Sequence, residues 1–247
     1  STGVRNTMVG GSAGDATTSG GDNAVLGYNA FGANTIGNSN VAIGKDAMMT
    51  NVASDRSVAI GHSALKVATA ASTADYYNVA VGFEAGVAIT SGVQNTILGG
   101  KAGDVITSGN NNIIIGYDAA AAAEDSTNSV TFGDANISAI RCQVQSISAL
   151  SDQRDKTDIK DSVYGLEYLE SLRPVTFEWN NREESVHKGT KDIGFIAQEL
   201  QEYDDEYTKL VLTDNPERLE ASYGRLIPIL VQAVQELSEE VKRLKNK

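Results

Sequence analysis

The 247-residue chain has very few of the residues from which metal sites and disulfides are built: one cysteine and two histidines. A single cysteine, Cys142, rules out an intrachain disulfide framework, and its expected role is that of a small apolar side chain in a strand. His62 and His187 lie far apart, so no zinc-ligand spacing exists and neither a metal nor a cofactor is expected. No apolar run reaches membrane-spanning length, and the N-terminus lacks a signal-peptide pattern, so no membrane insertion is expected.

Basic residues are also scarce, with 20 Lys and Arg against 32 Asp and Glu and a net charge of -12. An acidic chain repels phosphate backbones, which argues against a nucleic-acid partner. The charges are unevenly spread, since residues 1–150 carry 17 of them and residues 151–247 carry 35. Twenty of the 24 glycines precede residue 151, whereas all three prolines and the one tryptophan follow it. The composition therefore predicts a domain boundary near residue 150.

A repeat of the form Asn-x-x-apolar-Gly-x-x-Ala occurs eight times in the first part of the chain, with Ser in place of Asn twice. Successive repeat glycines are 17 residues apart, except for one step of 21 that places a four-residue insertion within residues 66–77. Alanine lies three residues after seven of the eight glycines. The repeat glycines are Gly10, Gly27, Gly44, Gly61, Gly82, Gly99, Gly116 and Gly133.

Each repeat predicts one short strand, and stacking the repeats buries an apolar stripe that one strand cannot bury alone. The glycine permits a tight turn with positive φ, the alanine suits a crowded interior, and the asparagines are placed to form a ladder. A recurring Thr-Ser-Gly predicts a second turn in each repeat. Because the stripe is thin, a solenoid of one chain would be marginal, and three chains around an axis would bury more.

The core Asn-x-Val-Ala-Ile-Gly-x-x-Ala resembles the head repeats of trimeric autotransporter adhesins and the matching repeats of phage tail fibres. That resemblance implies a trimeric β-roll or β-prism with a 17-residue period over residues 1–136. Residues 137–150 follow, and the alternating apolar positions of Ile137, Ile140, Cys142, Val144 and Ile147 predict a linking strand.

Four blocks of the second part, at 151–160, 172–179, 192–200 and 223–237, resemble the endosialidase-type intramolecular chaperone domain. Phage tailspikes and fibres carry this domain at their C-termini, and related domains occur in phage neck appendages and the myelin regulatory factor family. The resemblance implies an α+β domain over 151–247 that assembles a homotrimer and then cuts the Leu150–Ser151 bond. It implies that Ser151 pairs with Lys156. Asp152 and Arg154 are expected to orient the turn, with Asp152 as an auxiliary residue of the pair.

The chemistry is plausible for these residue types. A serine hydroxyl is a weak nucleophile unless a base takes its proton, and a lysine amine becomes such a base when burial or nearby cations favour its neutral form. Burial at a trimer interface is therefore expected to switch on cleavage, whereas a lone chain would leave Lys156 solvated and inactive. The alternative for Ser151 and Asp152 is a structural one, the capping of a turn.

The coarse pattern predicts a helix over 163–172, a strand over 174–179 and a strand running into a helix over 193–200, with Trp179 and Phe195 in the core. The C-terminal helix carries apolar residues at the spacing of a heptad seam. By residue type alone this seam favours two strands, whereas the resemblance implies three. The seam comprises Ile227, Leu230, Val234, Leu237, Val241 and Leu244.

Together these features indicate a virion component assembled in the host cytoplasm, namely a phage fibre or tailspike that recognises a glycan or protein receptor on the host surface. The expected enzyme activity is a single-turnover serine autopeptidase, with no substrate turnover in 1–150. A bacterial trimeric adhesin is one alternative, although that class ends in an outer-membrane barrel segment. A glycan depolymerase is another, and it needs paired carboxylates; Asp118, Glu124 and Asp125 are acidic, but no pattern marks them as a pair.

Overall fold

A computed structural model describes residues 2–68, 74–143, 147–180 and 188–247. The chain divides into two compact units, Ser1–Ile137 and Ser138–Lys247. In the described part of the chain, no helix combines the length and the apolar character needed to cross a membrane.

The first unit is a parallel β-solenoid in which each repeat supplies one three-residue strand to a single eight-stranded sheet. Each residue pairs with its equivalent in the next repeat, as Ala42 does with Ala59 and Ala59 with Ala80. The repeat array is thereby confirmed, with one strand of each repeat in this sheet. The strands are β1 (Thr7–Val9), β2 (Ala24–Leu26), β3 (Val41–Ile43), β5 (Val58–Ile60), β7 (Val79–Val81), β8 (Thr96–Leu98), β9 (Ile113–Ile115) and β10 (Val130–Phe132).

The four-residue insertion leaves the main sheet intact. Val58 of β5 still pairs with Val79 of β7 although 21 residues separate them. Next to the insertion, a second small parallel sheet forms between β4 (Ser54–Asp55) and β6 (Ala74–Asp75). Residues 69–73, part of the range 66–77 in which the insertion was placed, lie outside the described residues.

Each coil of the solenoid encloses its own core. The middle residue of most strands points inward, and Ala42, Ala59, Ala80 and Ile114 have no exposed surface. The alanines that follow the repeat glycines are also fully buried from the second repeat to the seventh, as expected for a crowded interior. Larger buried side chains fill the remaining space, so the core is thicker than the strand residues alone suggest. They include Phe31, Met48, Leu65, Ile89 and Ile106.

The asparagines at the strand starts form the predicted ladder. Asn95 Nδ2 donates to Asn78 Oδ1 at 3.2 Å, and Asn112 Nδ2 donates to Asn95 Oδ1 at 3.0 Å. Each amide also reaches across its coil, as Asn95 Nδ2 does to the carbonyl oxygen of Gly109 at 2.9 Å. These side chains are almost completely buried, and pairing is what makes such burial tolerable for a polar group.

In its described residues, the second unit contains two short helices, one long helix and two small antiparallel hairpins. Its helices are α1 (Leu166–Ser171), α2 (Ala197–Gln201) and the long α3 (Leu226–Lys245). Strand β11 (Val175–Glu178) pairs with β12 (Lys191–Gly194), and β13 (Val211–Leu212) pairs with β14 (Glu220–Ala221). One-turn 3-10 helices lie at Gln153–Asp155 and Tyr223–Arg225. The core residues are Leu172, Leu200, Leu210, Val211, Leu226 and Ile229.

Helix α1 is shorter than the predicted 163–172. Gly165 caps its start, and Val163 lies outside it with 86% of its surface exposed. Glycine is a poor residue for a helix interior, and Pro174 disfavours helical backbone at the residue before it. The predicted helix is confirmed, but the two local breakers set its ends.

Two other expectations were wrong. No strand forms in 137–143 or 147–150, where Ile140 is 78% exposed and Cys142 is also exposed; Val144 lies outside the described residues. A strand needs a neighbouring strand to pair with, and an alternating pattern does not by itself supply one. Trp179 is 43% exposed rather than buried and stacks edge-on against Phe177. Phe195 packs against the core as predicted, and His187 lies outside the described residues.

Candidate functional site at Ser151 and Lys156

A single 3-10 turn separates Ser151 from Lys156. Asp152 caps this turn by accepting a hydrogen bond from the backbone N–H of Arg154 at 2.8 Å. The backbone N–H of Lys156 closes it by donating to the carbonyl oxygen of Gln153 at 3.1 Å. A turn of this kind reverses the chain within a few residues, and it brings the lysine side chain back to the serine.

The turn places the two expected dyad residues in contact. Lys156 Nζ lies 2.6 Å from Ser151 Oγ and donates a second hydrogen bond to the Ser151 carbonyl oxygen at 3.2 Å. The shorter distance is within the range in which a general base can take a proton. Ser151 and Lys156 are both exposed, and Leu150, on the other side of the candidate bond, is 99% exposed.

The contacts of the Asp152 side chain are with Arg154, inside the turn. Its carboxylate accepts from Arg154 Nε at 3.0 Å and from Arg154 Nη2 at 2.6 Å, which is a two-point ion pair. Hydrogen bonding from the Arg154 side chain holds the pKa of Asp152 below its ordinary value. The two neighbours thus have different contacts, since Asp152 caps the turn and Ser151 contacts the lysine.

The long helix α3 has two apolar faces. One face buries Leu226, Ile229 and Ala233 in the second unit. The other face is the heptad seam, in which Ile227 and Val234 are each 63% exposed. Leu230, Leu237, Val241 and Leu244 are exposed as well. A seam at this spacing is typical of helices that associate with one another.

The solenoid also has an uncovered apolar surface. The first and third residues of each strand point outward and form two parallel rows along the sheet, here named the outer rows. All sixteen are exposed or half-buried, and none is charged. At about 4.8 Å per strand, eight strands make rows about 34 Å long. The rows are Thr7, Ala24, Val41, Val58, Val79, Thr96, Ile113 and Val130, and Val9, Leu26, Ile43, Ile60, Val81, Leu98, Ile115 and Phe132.

Sequence reasoning found one contact of the second unit only in part and missed another. It suggested that Asp152 and Arg154 orient the turn, but the pairing of Arg154 with both oxygens of Asp152 has no periodic signal, because it depends on side-chain conformation. The second is Glu236 of α3, whose Oε2 accepts a hydrogen bond from the backbone N–H of Leu166 at 2.7 Å. Seventy residues separate this cap from the helix that it caps, so only the fold reveals it.

The acidic residues considered for glycan hydrolysis are exposed on the solenoid: Asp118, Glu124 and Asp125. Nearby, burial and the charge of Asp118 raise the pKa of Asp104 above its ordinary value. In the described part of the chain, no group of three or more His, Cys, Asp and Glu is placed to hold a metal ion.

Fold and site together define a class: a β-solenoid of fibre type followed by a small α+β domain that begins with a serine–lysine pair. Comparison with known families gives the domain its identity. Residues 151–212 match the model of the family described as chaperone of endosialidase, a match that covers about a quarter of the chain. The second unit therefore carries an endosialidase-type chaperone domain, and the repeats before it complete the layout of a tail-fibre C-terminal region. The family implies self-cleaving peptidase activity. Searches of curated proteins and of solved structures found no match.

Proposed function

We propose that this chain is the C-terminal region of a phage tail fibre or tailspike whose domain 151–247 assembles three copies and then cuts the Leu150–Ser151 bond. The observation that carries the proposal is the 2.6 Å contact between Lys156 Nζ and Ser151 Oγ. It occurs at the first residue of the family match, which is the position where a chaperone that releases itself would break the chain.

The reaction uses groups of this chain and one water molecule. The neutral amine of Lys156 takes the proton of the Ser151 hydroxyl, and Oγ attacks the carbonyl carbon of Leu150. The bond from that carbon to the Ser151 nitrogen breaks, and the nitrogen receives the proton from Lys156. The resulting ester between Leu150 and Ser151 is then hydrolysed by water, leaving a Leu150 carboxylate and a free Ser151 with its hydroxyl restored.

Assembly supplies what the single chain lacks. Lys156 is exposed in a single copy, and burial of an amine favours its neutral form. The exposed seam of α3 offers the contact through which copies meet, because six apolar residues at heptad spacing are stabilised by covering one another. Cleavage then follows assembly and takes place once per chain.

The outer rows of the solenoid are a second surface for the same homotrimer. A contiguous apolar surface of this length on a soluble domain marks an interaction site. We assign this surface to other copies of the same chain. Equivalent rows on two copies have the same repeat spacing, and neither row carries a charge that would repel the other. Host recognition, by a glycan or protein receptor, then falls to the other faces of the solenoid. The fibre is assembled in the host cytoplasm and functions as a part of the virion.

Cleavage is tested by producing the parent chain and its Ser151→Ala, Lys156→Ala and Lys160→Ala forms, followed by denaturing gels and light scattering. The parent and Lys160→Ala are expected to be cut near residue 150, the other two to stay intact, and all four to have the mass of a trimer. Lys160 is a matched control because it is an exposed lysine of the same segment that pairs with Asp158. An uncut, monomeric parent contradicts the proposal, and a cut Lys156→Ala form removes the lysine from the mechanism.

A further inference from the structure

Three charged side chains follow Ser151 at alternate positions, and the structure pairs them selectively. Asp152 is bound by Arg154 through both carboxylate oxygens, while both polar contacts of the Lys156 side chain in the described part of the chain are to Ser151. An acid four residues before a lysine would ordinarily attract it. Here the arginine between them already occupies that acid.

The consequence concerns the proton on the lysine. A carboxylate close to an amine favours its ammonium form, which cannot take a proton from serine. Arginine is the suitable residue to prevent this, because its planar guanidinium binds a carboxylate at two points and stays charged at all relevant pH values. With Arg154 bound to both of its oxygens, Asp152 still caps the turn. Because its charge is offset by the guanidinium, it does less to favour the ammonium form of the nearby lysine.

We propose that Arg154 is a positioning residue for self-cleavage: by occupying both oxygens of Asp152, it directs the amine of Lys156 to the hydroxyl of Ser151. This rests on the proposed function, since it presupposes that Ser151 and Lys156 perform the cut. The remaining charges of this segment are Asp155, which follows Arg154, and the Asp158–Lys160 pair. The side chain of Arg154 is 88% exposed, so its replacement removes the pairing without opening a core.

The test is the rate of cleavage as a function of pH in the assembled full chain. For Arg154→Ala, the profile is expected to move to higher pH by about one unit, with cleavage about tenfold slower on its acid side. Adding Asp152→Asn to Arg154→Ala is expected to move the profile back, because asparagine keeps an oxygen for the cap and lacks the charge. Arg154→Lys, with one contact point in place of two, is expected to fall between parent and Arg154→Ala.

The matched control is Lys160→Ala, which breaks an ion pair of the same two-residue spacing in the same segment and is expected to keep the parental profile. Light scattering establishes that each variant is still a trimer. If Arg154→Ala has the parental profile, or if Asp152→Asn fails to restore it, the role assigned to Arg154 is wrong. If the parent itself is uncut, the proposed function fails first, so the two failures are distinguishable.

Discussion

At the scale of single residues, neighbouring coils approach so closely at some positions that a side chain cannot fit there. Gly99 has φ +137°, and a Cβ there would lie 2.2 Å from the carbonyl oxygen of Gly116 in the next coil. Gly100, its neighbour, has no such conformation, and its nearest contact to an added Cβ would be 3.6 Å. Two adjacent glycines thus have different roles, of which only the first is fixed by the solenoid.

This difference can be measured with matched variants. Gly99→Ala is expected to destabilise the solenoid by more than about 3 kcal/mol, because the backbone is strained and the next coil must move. Gly100→Ala is expected to change stability by less than about 1 kcal/mol. Urea unfolding followed by circular dichroism compares the two. Equal midpoints for both variants would show that the close approach between coils does not limit the structure.

Sequence alone was sufficient for the residues that repeat. The glycine, alanine and asparagine positions follow from a period of 17, and the structure places each as the period requires. The pairing of Arg154 with Asp152 could not be predicted from the sequence. The sequence shows that the two residues are near each other, but it does not show which of several nearby acids the arginine binds. The serine–lysine spacing was identified from the family resemblance.

At the scale of elements, the long C-terminal helix is the clearest case of a surface prepared for another chain. Its own unit covers one face, and the seam stays exposed.

Leu237→Glu is expected to give a monomer that is not cut, because a glutamate in the seam would be buried against the glutamates of the other copies without an opposite charge. Gln235→Glu, an exposed change off the seam, is expected to leave a cut trimer. Light scattering and denaturing gels report both results, and a cut trimer of Leu237→Glu would contradict the role of the seam.

The contact between α3 and α1 has a defined pH dependence. Hydrogen bonds from the backbone of Leu166 and then from Gln232 lower the pKa of Glu236 below its ordinary value. A lowered carboxyl pKa adds stability above the unfolded-state pKa, and this is lost as pH falls through the folded-state value. Glu236→Gln should therefore melt below the parent at about pH 7, with the gap closing below about pH 4.

Thermal melts at both pH values test this expectation, with Glu239→Gln, an exposed change on the same helix, as control. A gap for Glu236→Gln that is constant across pH would mean that its charge does not matter to the cap.

Element prediction failed where a pattern lacked its partner or met a breaker. Residues 137–150 alternate as a strand does, yet no neighbouring strand accepts their hydrogen bonds in the described part. Helix α1 has the expected apolar spacing, and Gly165 and Pro174 shorten it. The periodicity of the apolar residues shows neither the absence of a pairing strand nor the effect of a helix breaker.

At the scale of the whole molecule, the outer rows predict that solenoids of different copies face each other through the same strands. In a Cys142→Ser background, Thr96→Cys and Leu98→Cys lie one in each row of β8. In a parallel trimer equivalent residues of the rows approach one another, so at least one of the two is expected to form disulfides between copies on oxidation. Ser108→Cys, on the Thr-Ser-Gly turn of the same coil, is the control and should not. Non-reducing gels give the answer, and linkage absent from both row positions would remove the outer rows from the interface.

In the proposed function, the assembly of three copies switches on the cut. The most direct measurement is the rate of Leu150–Ser151 cleavage in freshly refolded chain over a range of chain concentrations, with the oligomeric mass recorded in parallel. If three copies are needed, the initial rate per chain rises steeply with concentration and follows the appearance of trimer. A rate per chain that is independent of concentration while the protein is still monomeric would contradict the account.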